Sequence, residues 1–476
     1  MSDRGAALSP DERWLVESAR QLLELSPAAA DAACANAWQV NCLKQQRLLR
    51  QRSRHRFPDP SRWLWTERSL AQSSDWWSAK FKASLFPSGE PLVDACCGAG
   101  VDTVALATHG QVTCIDADPL MSALTVSNAA AHGQQVSAMT APVDQPLLSR
   151  LAQEARWLHV DPDRRPAERR TTTADEFSPA LDELLESTPL FAGAMIKLAP
   201  STRMSPHTEQ RVEAHCHRMW VGNRGECRQQ LLLTGELCDA TTPRRTAVLA
   251  EPPNPATVSS DSAGTSDSCS DSCSSSSLAA RPGLEVGTAW RPPQENVFKF
   301  SAEVERNSFV ECEMQPGTYI ADLHAVLHAS ELQLAWGALH GLRPLGGLHG
   351  YFTGDNPLVG RGENPAENRV NASPWAQYFR VIELLPWDDR QVRKWLRAHD
   401  CGIVEVKNRM VRLDANAFQR RYSGTGSRAF TLLVTQLRDR VRVVIAERLE
   451  TAARLLQAKL PQDPFRTKET GHLSPE

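Results

Sequence analysis

The chain is 476 residues long and 41% hydrophobic, and its formal net charge of −3 averages over segments of opposite sign. Such a length suits about three domains, with apolar residues enough for buried cores. It shows no run of eighteen apolar residues and no basic-plus-apolar leader, so neither a membrane span nor an export signal is expected. Its twelve scattered cysteines read as reduced thiols of a cytoplasmic protein, not as a disulfide framework.

Residues 1–85 are expected to form a helical N-terminal region. Ser9-Pro10-Asp11-Glu12 is a capping box with proline at the first helical position, followed by Leu15, Ala19, Leu22 and Leu23 on one face, and Ser26-Pro27 opens another helix. Lys44 to Phe57 carries six Lys or Arg and is followed by Trp63, Trp65, Trp76 and Trp77. Basic charge interleaved with rings suits a nucleic-acid backbone and its bases; a solvated helix face above core tryptophans suits the pattern equally.

Residues 86–240 read as an α/β cofactor domain. Leu92 and Val93 make a short buried strand that ends at Asp94, and a turn through Cys96, Cys97, Gly98 and Gly100 follows. The glycines let the chain reverse with bare backbone against a ligand. Val101, Val104, Ala105 and Ala107 then fall at helical spacing with Asp102 in the first turn, and a second β-prone run, Val112 to Ile115, ends in Asp116. An acid after the second strand is placed to accept hydrogen bonds from the hydroxyls of a nucleoside ribose. The dinucleotide fingerprint needs a third glycine, and Thr103 stands in its place. An acid ahead of the glycines also opposes a pyrophosphate but suits a cationic sulfonium, so the pattern points to S-adenosyl-L-methionine. Asp94, Cys96, Gly98, Gly100, Asp102 and Asp116 are the expected donor-binding residues. The third strand, Val136 to Met139, is followed by Thr140-Ala141-Pro142 and then by Asp144, a further cofactor-binding candidate beside backbone contacts.

A fourth strand, Trp157 to Val160, ends in Asp161-Pro162-Asp163-Arg164-Arg165. In an open parallel sheet the ligand crevice lies outside the carboxyl ends of the strands, so this stiffened acidic turn should face the reactive methyl. Amino-directed nucleic-acid methyltransferases carry [DNS]-P-P-[YFW] there; Asp163 and Arg164 replace the second proline and the aromatic. A further strand, Ala194 to Leu198, brings Lys197 to the same crevice. Asp161, Pro162, Arg164, Arg165 and Lys197 are the candidate catalytic residues. His215, Cys216, His217, Cys227 and Cys238 cluster loosely but lack C-x-x-C pairs, and no metal is expected.

From 241 to 284 a disordered insert is expected, because Ser and Asp dominate residues 254–282, with Cys269 and Cys273 among them. The set DACCGAGVDT, IDADP, VDPDRR, DEFSP at 175–179 and MIKLAP resembles bacterial class I S-adenosylmethionine-dependent methyltransferases with a C-terminal THUMP-like domain. The resemblance covers most of residues 85–450. It implies a Rossmann-like domain, a small ferredoxin-like α+β segment at 285–380 (QPGTYIADL, GYFT), a THUMP-like α+β module at 381–452 and a flexible tail at 453–476. It further implies that Asp94, Gly98 and Gly100 line the donor, that Asp116 holds its ribose, and that Asp161, Arg164 and Arg165 lie beside the acceptor.

Between Trp387 and Glu450 stand fourteen Lys or Arg against eight Asp or Glu. Phosphate contacts supply most non-specific nucleic-acid affinity, so RNA is the expected partner, and the RYSGTGSR turn at 421–428 offers glycine amides and arginines that would suit a phosphate. Methyl transfer to RNA is therefore the expected function. A non-catalytic protein that binds S-adenosylmethionine and RNA, or a methyltransferase of a protein or small molecule, stays open.

Overall fold

The computed structural model describes residues 7–164, 171–238, 241–252, 296–304, 310–355 and 373–449. They divide into two units, the first taking the described residues up to Pro252 with 296–304 and 325–332, the second 310–324 and 333–449. Arg165, Cys269, Cys273 and the tail at 453–476 lie outside the described residues.

The first unit is built on a sheet whose centre is β1 (Leu92–Ala95), buried along its whole length. It lies between β2 (Val112–Asp116) and β4 (Trp157–Val160), both parallel to it, with Leu92 opposite Val112 and Trp157. The outer strands are β3 (Ser137–Thr140), β5 (Gly193–Leu198), β6 (His217–Asn223), β7 (Glu226–Gly235), β8 (Arg245–Ala250) and β9 (Val297–Ser301), and the order is β3-β2-β1-β4-β5-β7-β6-β8-β9. β3 through β5 run parallel, whereas β7 turns back against β5. Parallel neighbours need crossovers, supplied by α7 (Val101–Leu106), α8 (Pro119–Ala131), α9 (Gln145–Leu151) and α10 (Leu181–Ser187), with α11 (Pro206–His215) before β6. Alternate residues serve opposite faces: Leu92, Trp157 and Met195 enter one core, Val93, Leu158 and Ile196 the other. The result is a Rossmann-like sheet whose strand order reverses at β1, opening a crevice at the carboxyl ends of β1 and β4.

Six helices precede the sheet: α1 (Pro10–Glu17), α2 (Ala19–Leu23), α3 (Pro27–Ala32), α4 (Ala37–Ser53), α5 (Glu67–Gln72) and α6 (Trp76–Ala83). The capping box at Ser9 and Glu12 forms as its residues require. Part of the basic stretch and two of its tryptophans are core and scaffold. Trp63 and Trp65 are buried and stacked 5.2 Å apart, and they share a core with Phe81, Val101 and Val104. Arg50 donates to the Trp63 carbonyl at 3.0 Å, Arg56 to the Leu70 carbonyl at 2.6 Å, and Arg52 pairs with Glu67 at 2.8 Å. Trp63 and Trp65, inside the core, offer no stacking platform, whereas Trp76 and Trp77 are half-buried and Lys44, Arg52 and Arg54 are exposed.

Two expected boundaries move. The insert expected from 241 contains β8, six buried residues paired with β6 and β9; its Ala-Val-Leu-Ala run is apolar enough to bury, and Ser/Asp dominance begins only beyond it. The expected segment 285–380 is shared out: β9 and the short α12 (Ala325–Ala329) belong to the first unit, and the rest of its described elements to the second.

In the second unit, β10 (Tyr319–Leu323), α13 (Gln333–Leu339), β11 (Arg343–Leu345) and β12 (Tyr351–Gly354) lead into β13 (Ala376–Pro386), α14 (Asp389–Ala398), β14 (Cys401–Asn408), α15 (Ala415–Tyr422), β15 (Arg428–Leu437) and β16 (Arg440–Arg448). All its strands join one sheet, β11-β12-β10-β13-β16-β15-β14. A division at residue 380 would cut through β13. One face buries Ile320, Tyr351, Phe379 and Leu433; the other packs Val392 and Leu396 of α14 and Tyr422 of α15 against Val404, Phe430 and Ile445.

Candidate functional site

The turn after β1 opens onto a cavity of about 560 Å³. Cys96, Gly98 and Gly100 all have positive φ, at 59°, 57° and 81°. Around Gly98 a Cβ would meet nothing within 4 Å, and the residue lines the cavity. Gly100 does not line it; a Cβ there would come 2.7 Å from Thr125 Cγ2 on α8. Its glycine is required by helix packing as well as by backbone angle.

Asp94 is fully buried beneath the turn and does not border the cavity. It accepts from the Thr103 hydroxyl and from His159 Nδ1, the latter at 2.7 Å, and so ties β1 to α7 and β4. Asp116, at the end of β2, does line the cavity. Its carboxylate accepts from the Gly98 and Asp118 amides, each at 2.9 Å, and burial raises its pKa. Cys96 and Cys97 also line the wall, with their thiols held protonated; burial dominates for Cys96, and the hydrogen bond to Cys114 for Cys97. Beyond Asp116 the wall turns apolar with Leu120, Met121, Pro142 and Val143, a surface suited to the faces of a purine. Asp144 is absent from the lining; it caps α9, accepting from the Leu147 amide at 2.9 Å.

At the other end stand Asp161, Pro162, Asp163 and Arg164. The Asp161 amide donates to the Ala95 carbonyl at 3.2 Å, fixing the turn to β1. Lys197 Nζ lies 2.5 Å from Asp161 Oδ2. Asp163 exchanges backbone hydrogen bonds with Ser178 and pairs with Arg68 at 2.9 Å, and Ser178-Pro179 completes this edge of the cavity. Arg165 lies outside the described residues.

Several contributors gave no sign in the sequence. Thr66, Arg68, Ser69, Gln72, Ser73 and Ser74, from α5 and the segments flanking it, line the cavity. Lys82 of α6 is buried with Nζ 2.5 Å from Asp102 Oδ2 and 3.0 Å from Ser74 Oγ. Lys197 Nζ stands 3.7 Å from the same Asp102 oxygen. Burial opposes charge on Asp102, but Lys82 and Lys197 outweigh it and hold the carboxyl below its usual range. Burial likewise disfavours charge on Lys197, and Asp161 and Asp102 more than restore it, so its pKa is raised. For Lys82 burial prevails and the pKa is lowered. The four groups form one chain that runs from buried Lys82 through Asp102 and Lys197 to half-buried Asp161.

Among the described residues no group of three or more His, Cys, Asp or Glu closes around a metal position, and no helix is long and apolar enough to cross a membrane.

The RYSGTGSR turn of the second unit is not a phosphate cradle. The Ser427 amide and hydroxyl both donate to Asp400, the Gly424 and Gly426 amides donate to the Gly402 and Cys401 carbonyls, and a Cβ on Gly402 would lie 1.9 Å from the Gly426 carbonyl oxygen. A carboxylate already occupies the anion's place, and the glycines serve a close crossing of two backbones. Arg421 and Arg428 pair with Asp389 and Glu447, each at 2.8 or 2.9 Å. Other cations stay exposed: Arg390, Lys394 and Arg397 on the outer face of α14, Arg420 on α15, and Arg438 and Arg440 where β15 turns into β16.

Residues 376–448 match the family model described as THUMP domain-like. The chain is 24% identical over 381 residues, 79% of its length and 86% of theirs, to uncharacterized S-adenosylmethionine-dependent methyltransferases of Mycobacterium tuberculosis strains CDC 1551 and H37Rv. A crystal structure of a provisionally assigned methyltransferase from Porphyromonas gingivalis W83 superposes with a TM-score of 0.61 at 17% identity, covering 92% of this chain and 98% of that one. The shared architecture is the Rossmann-like α/β fold with a THUMP-like domain at the C-terminal end.

Proposed function

We propose that this protein is an S-adenosylmethionine-dependent methyltransferase that acts on RNA, with the THUMP-like module anchoring the substrate. The observation that carries the reading is the cavity at the carboxyl ends of β1, β2 and β4. It has the Asp116 carboxylate and an apolar wall at one end and the Asp161–Lys197 pair at the other. The S-adenosylmethionine relatives support the donor, and the THUMP-like match supports RNA as the acceptor.

The cavity fits the donor. Open space at Gly98 lets a ligand lie on bare backbone, Asp116 can accept from two vicinal hydroxyls while its own shape is held by two amides, and Leu120, Met121, Pro142 and Val143 offer faces to an adenine. The donor supplies an activated methyl on a sulfonium. The chain's own task is then to hold an acceptor atom in line and close, which is where most of the acceleration resides. Asp161 and Pro162, fixed by the Ala95 carbonyl and by Lys197, are the groups placed to do this.

The test is transfer of radiolabelled methyl from S-adenosylmethionine to total RNA of cells lacking this protein, beside calorimetry with S-adenosylhomocysteine. Label in RNA that disappears with Asp161→Ala supports the enzyme. Binding with no transfer to RNA, DNA or protein replaces it with a non-catalytic reading.

A further inference from the structure

Three features of the acceptor end bear on which atom is methylated. First, the cavity wall carries no aromatic ring among its lining residues, and the neighbouring residues 165–170, Arg-Pro-Ala-Glu-Arg-Arg, contain none. Second, Asp161 uses Oδ2 for Lys197, and Oδ1 has no partner among the described residues. Third, the carboxylate is the half-exposed end of a chain of alternating charge whose other members, Lys82, Asp102 and Lys197, are buried.

A base amine must be turned out of its stack before it reaches a methyl donor, which costs a few kcal/mol and is commonly offset by stacking between side chains. Among the described residues no ring lines the cavity to offer that compensation. A sugar hydroxyl lies on the outside of the strand and is presented without unstacking. It has a different need: a neutral hydroxyl is a weak nucleophile, and a positioned base must take its proton as the new bond forms. Lys197 is held as a cation by Asp161 and Asp102 and is no base. Asp163, at the same end, is paired with Arg68, and Asp161 with its Oδ1 is the better-placed acceptor.

We propose that the acceptor is a ribose 2′-hydroxyl, with Asp161 receiving its proton and the buried Lys82–Asp102–Lys197 chain holding Asp161 in position; this rests on the proposed methyl transfer to RNA and specifies its target. The hydroxyl oxygen donates a lone pair to the methyl carbon, the carbon–sulfur bond breaks with its electron pair going to sulfur, and the proton passes to Asp161 Oδ1. The products are a 2′-O-methyl ribose and a neutral thioether, and Asp161 returns its proton to water. Lys82 and Asp102 are positioning residues.

Alkaline digestion of RNA labelled by the full-length protein decides the matter, because a 2′-O-methyl group blocks cleavage of the adjoining phosphodiester. Label in alkali-resistant dinucleotides is the expected result. Label in mononucleotides would assign the methyl to a base and overturn this inference while leaving methyl transfer to RNA standing; no label in RNA would remove both. Two variants test the roles. Asp161→Asn should lower kcat at least 100-fold, with Asp161→Glu regaining part of it, and both should bind S-adenosylhomocysteine within about threefold of the parent by calorimetry, since neither alters the Asp116 end. Lys82→Met should lower kcat with KM nearly unchanged. Unchanged kcat in a folded Lys82→Met protein would strip the buried chain of its role.

Discussion

Lys82 Nζ lies 2.5 Å from Asp102 Oδ2, with 1% of one side chain and 9% of the other exposed. The lysine comes from the helical N-terminal region and the aspartate from the first turn of α7. The helices before the sheet therefore share an electrostatic core with the turn that forms the cavity, as they share an apolar one through Trp65, Phe81 and Val104.

Removing one partner of a buried ion pair leaves the other charge uncompensated. Lys82→Met and Asp102→Asn should each destabilise the first unit by about 3–5 kcal/mol, and the double variant should cost clearly less than their sum. Urea titration of the four proteins checks this; strict additivity would mean that the pair contributes no coupling.

The signs of the shifts set the pH range of that stability. Asp102 is held below its usual value, so its contribution is present above about pH 4 and is lost as pH falls through the depressed folded value. Lys197 is raised, so its contribution is present below about pH 10 and is lost as pH climbs through the elevated folded value. Asp102→Asn should flatten the acid limb of a melting-temperature profile and leave the alkaline limb less changed.

The two turn glycines should respond differently. Gly100→Ala meets both the positive φ and the Thr125 side chain; Gly98→Ala meets the φ alone, at roughly 1–2 kcal/mol. Gly100→Ala is thus the more destabilising in thermal melts, and Gly98→Ala the more damaging to S-adenosylhomocysteine binding relative to its stability cost.

Asp116→Ala should weaken S-adenosylhomocysteine binding by about a hundredfold or more, the order expected when two hydrogen bonds to a charged group, at about 1.5 kcal/mol or more each, are lost. Because burial raises the Asp116 pKa, binding by the parent should fall off on acidification sooner than an ordinary carboxylate would dictate. Calorimetry between pH 4 and pH 8 would show both, and an affinity independent of residue 116 would remove it from the ribose role.

On the second unit, the exposed face of α14 offers the clearest cations. Replacing Arg390, Lys394 and Arg397 together by alanine should reduce the salt dependence of RNA binding by about 2–3 in log–log slope, at under 1 kcal/mol of folding stability. Gly424→Ala should change folding and not the slope, since that turn is occupied by its own carboxylate, Asp400.

The sequence reading succeeded where one residue type in one place has one physical use. A buried parallel strand is an unbroken apolar run, so β1, β4 and β5 are legible, and Asp116 and Asp161 line the cavity because strand ends in such a sheet face the crevice. It missed what depends on distant partners. Asp94 looked like a ligand contact, but its neighbours are Thr103 and His159, which only folding brings together. Lys82 is indistinguishable in sequence from Lys80, which is exposed. Asp144 was read for its charge and proved to be a helix cap, a role that Asp fills as readily. The arginines of Lys44 to Phe57 read as surface charge, yet Arg50 and Arg56 spend donors on the Trp63 and Leu70 carbonyls, partners that only folding brings within reach.

The antiparallel pairing of β8 with β9 has a practical side. Ala250 lies opposite Val297, and the Glu251 amide donates to the Asn296 carbonyl at 3.0 Å, so the chain leaves the sheet and re-enters it at adjacent points. Closing such a gap is nearly independent of what spans it, because each doubling of loop length costs only about 0.6 kcal/mol. Excision of residues 253–295 in favour of a short Asn-Gly hairpin should therefore leave the first unit intact, giving a trimmed protein for crystallisation and a direct means of asking what the Ser/Asp-rich stretch contributes in the cell.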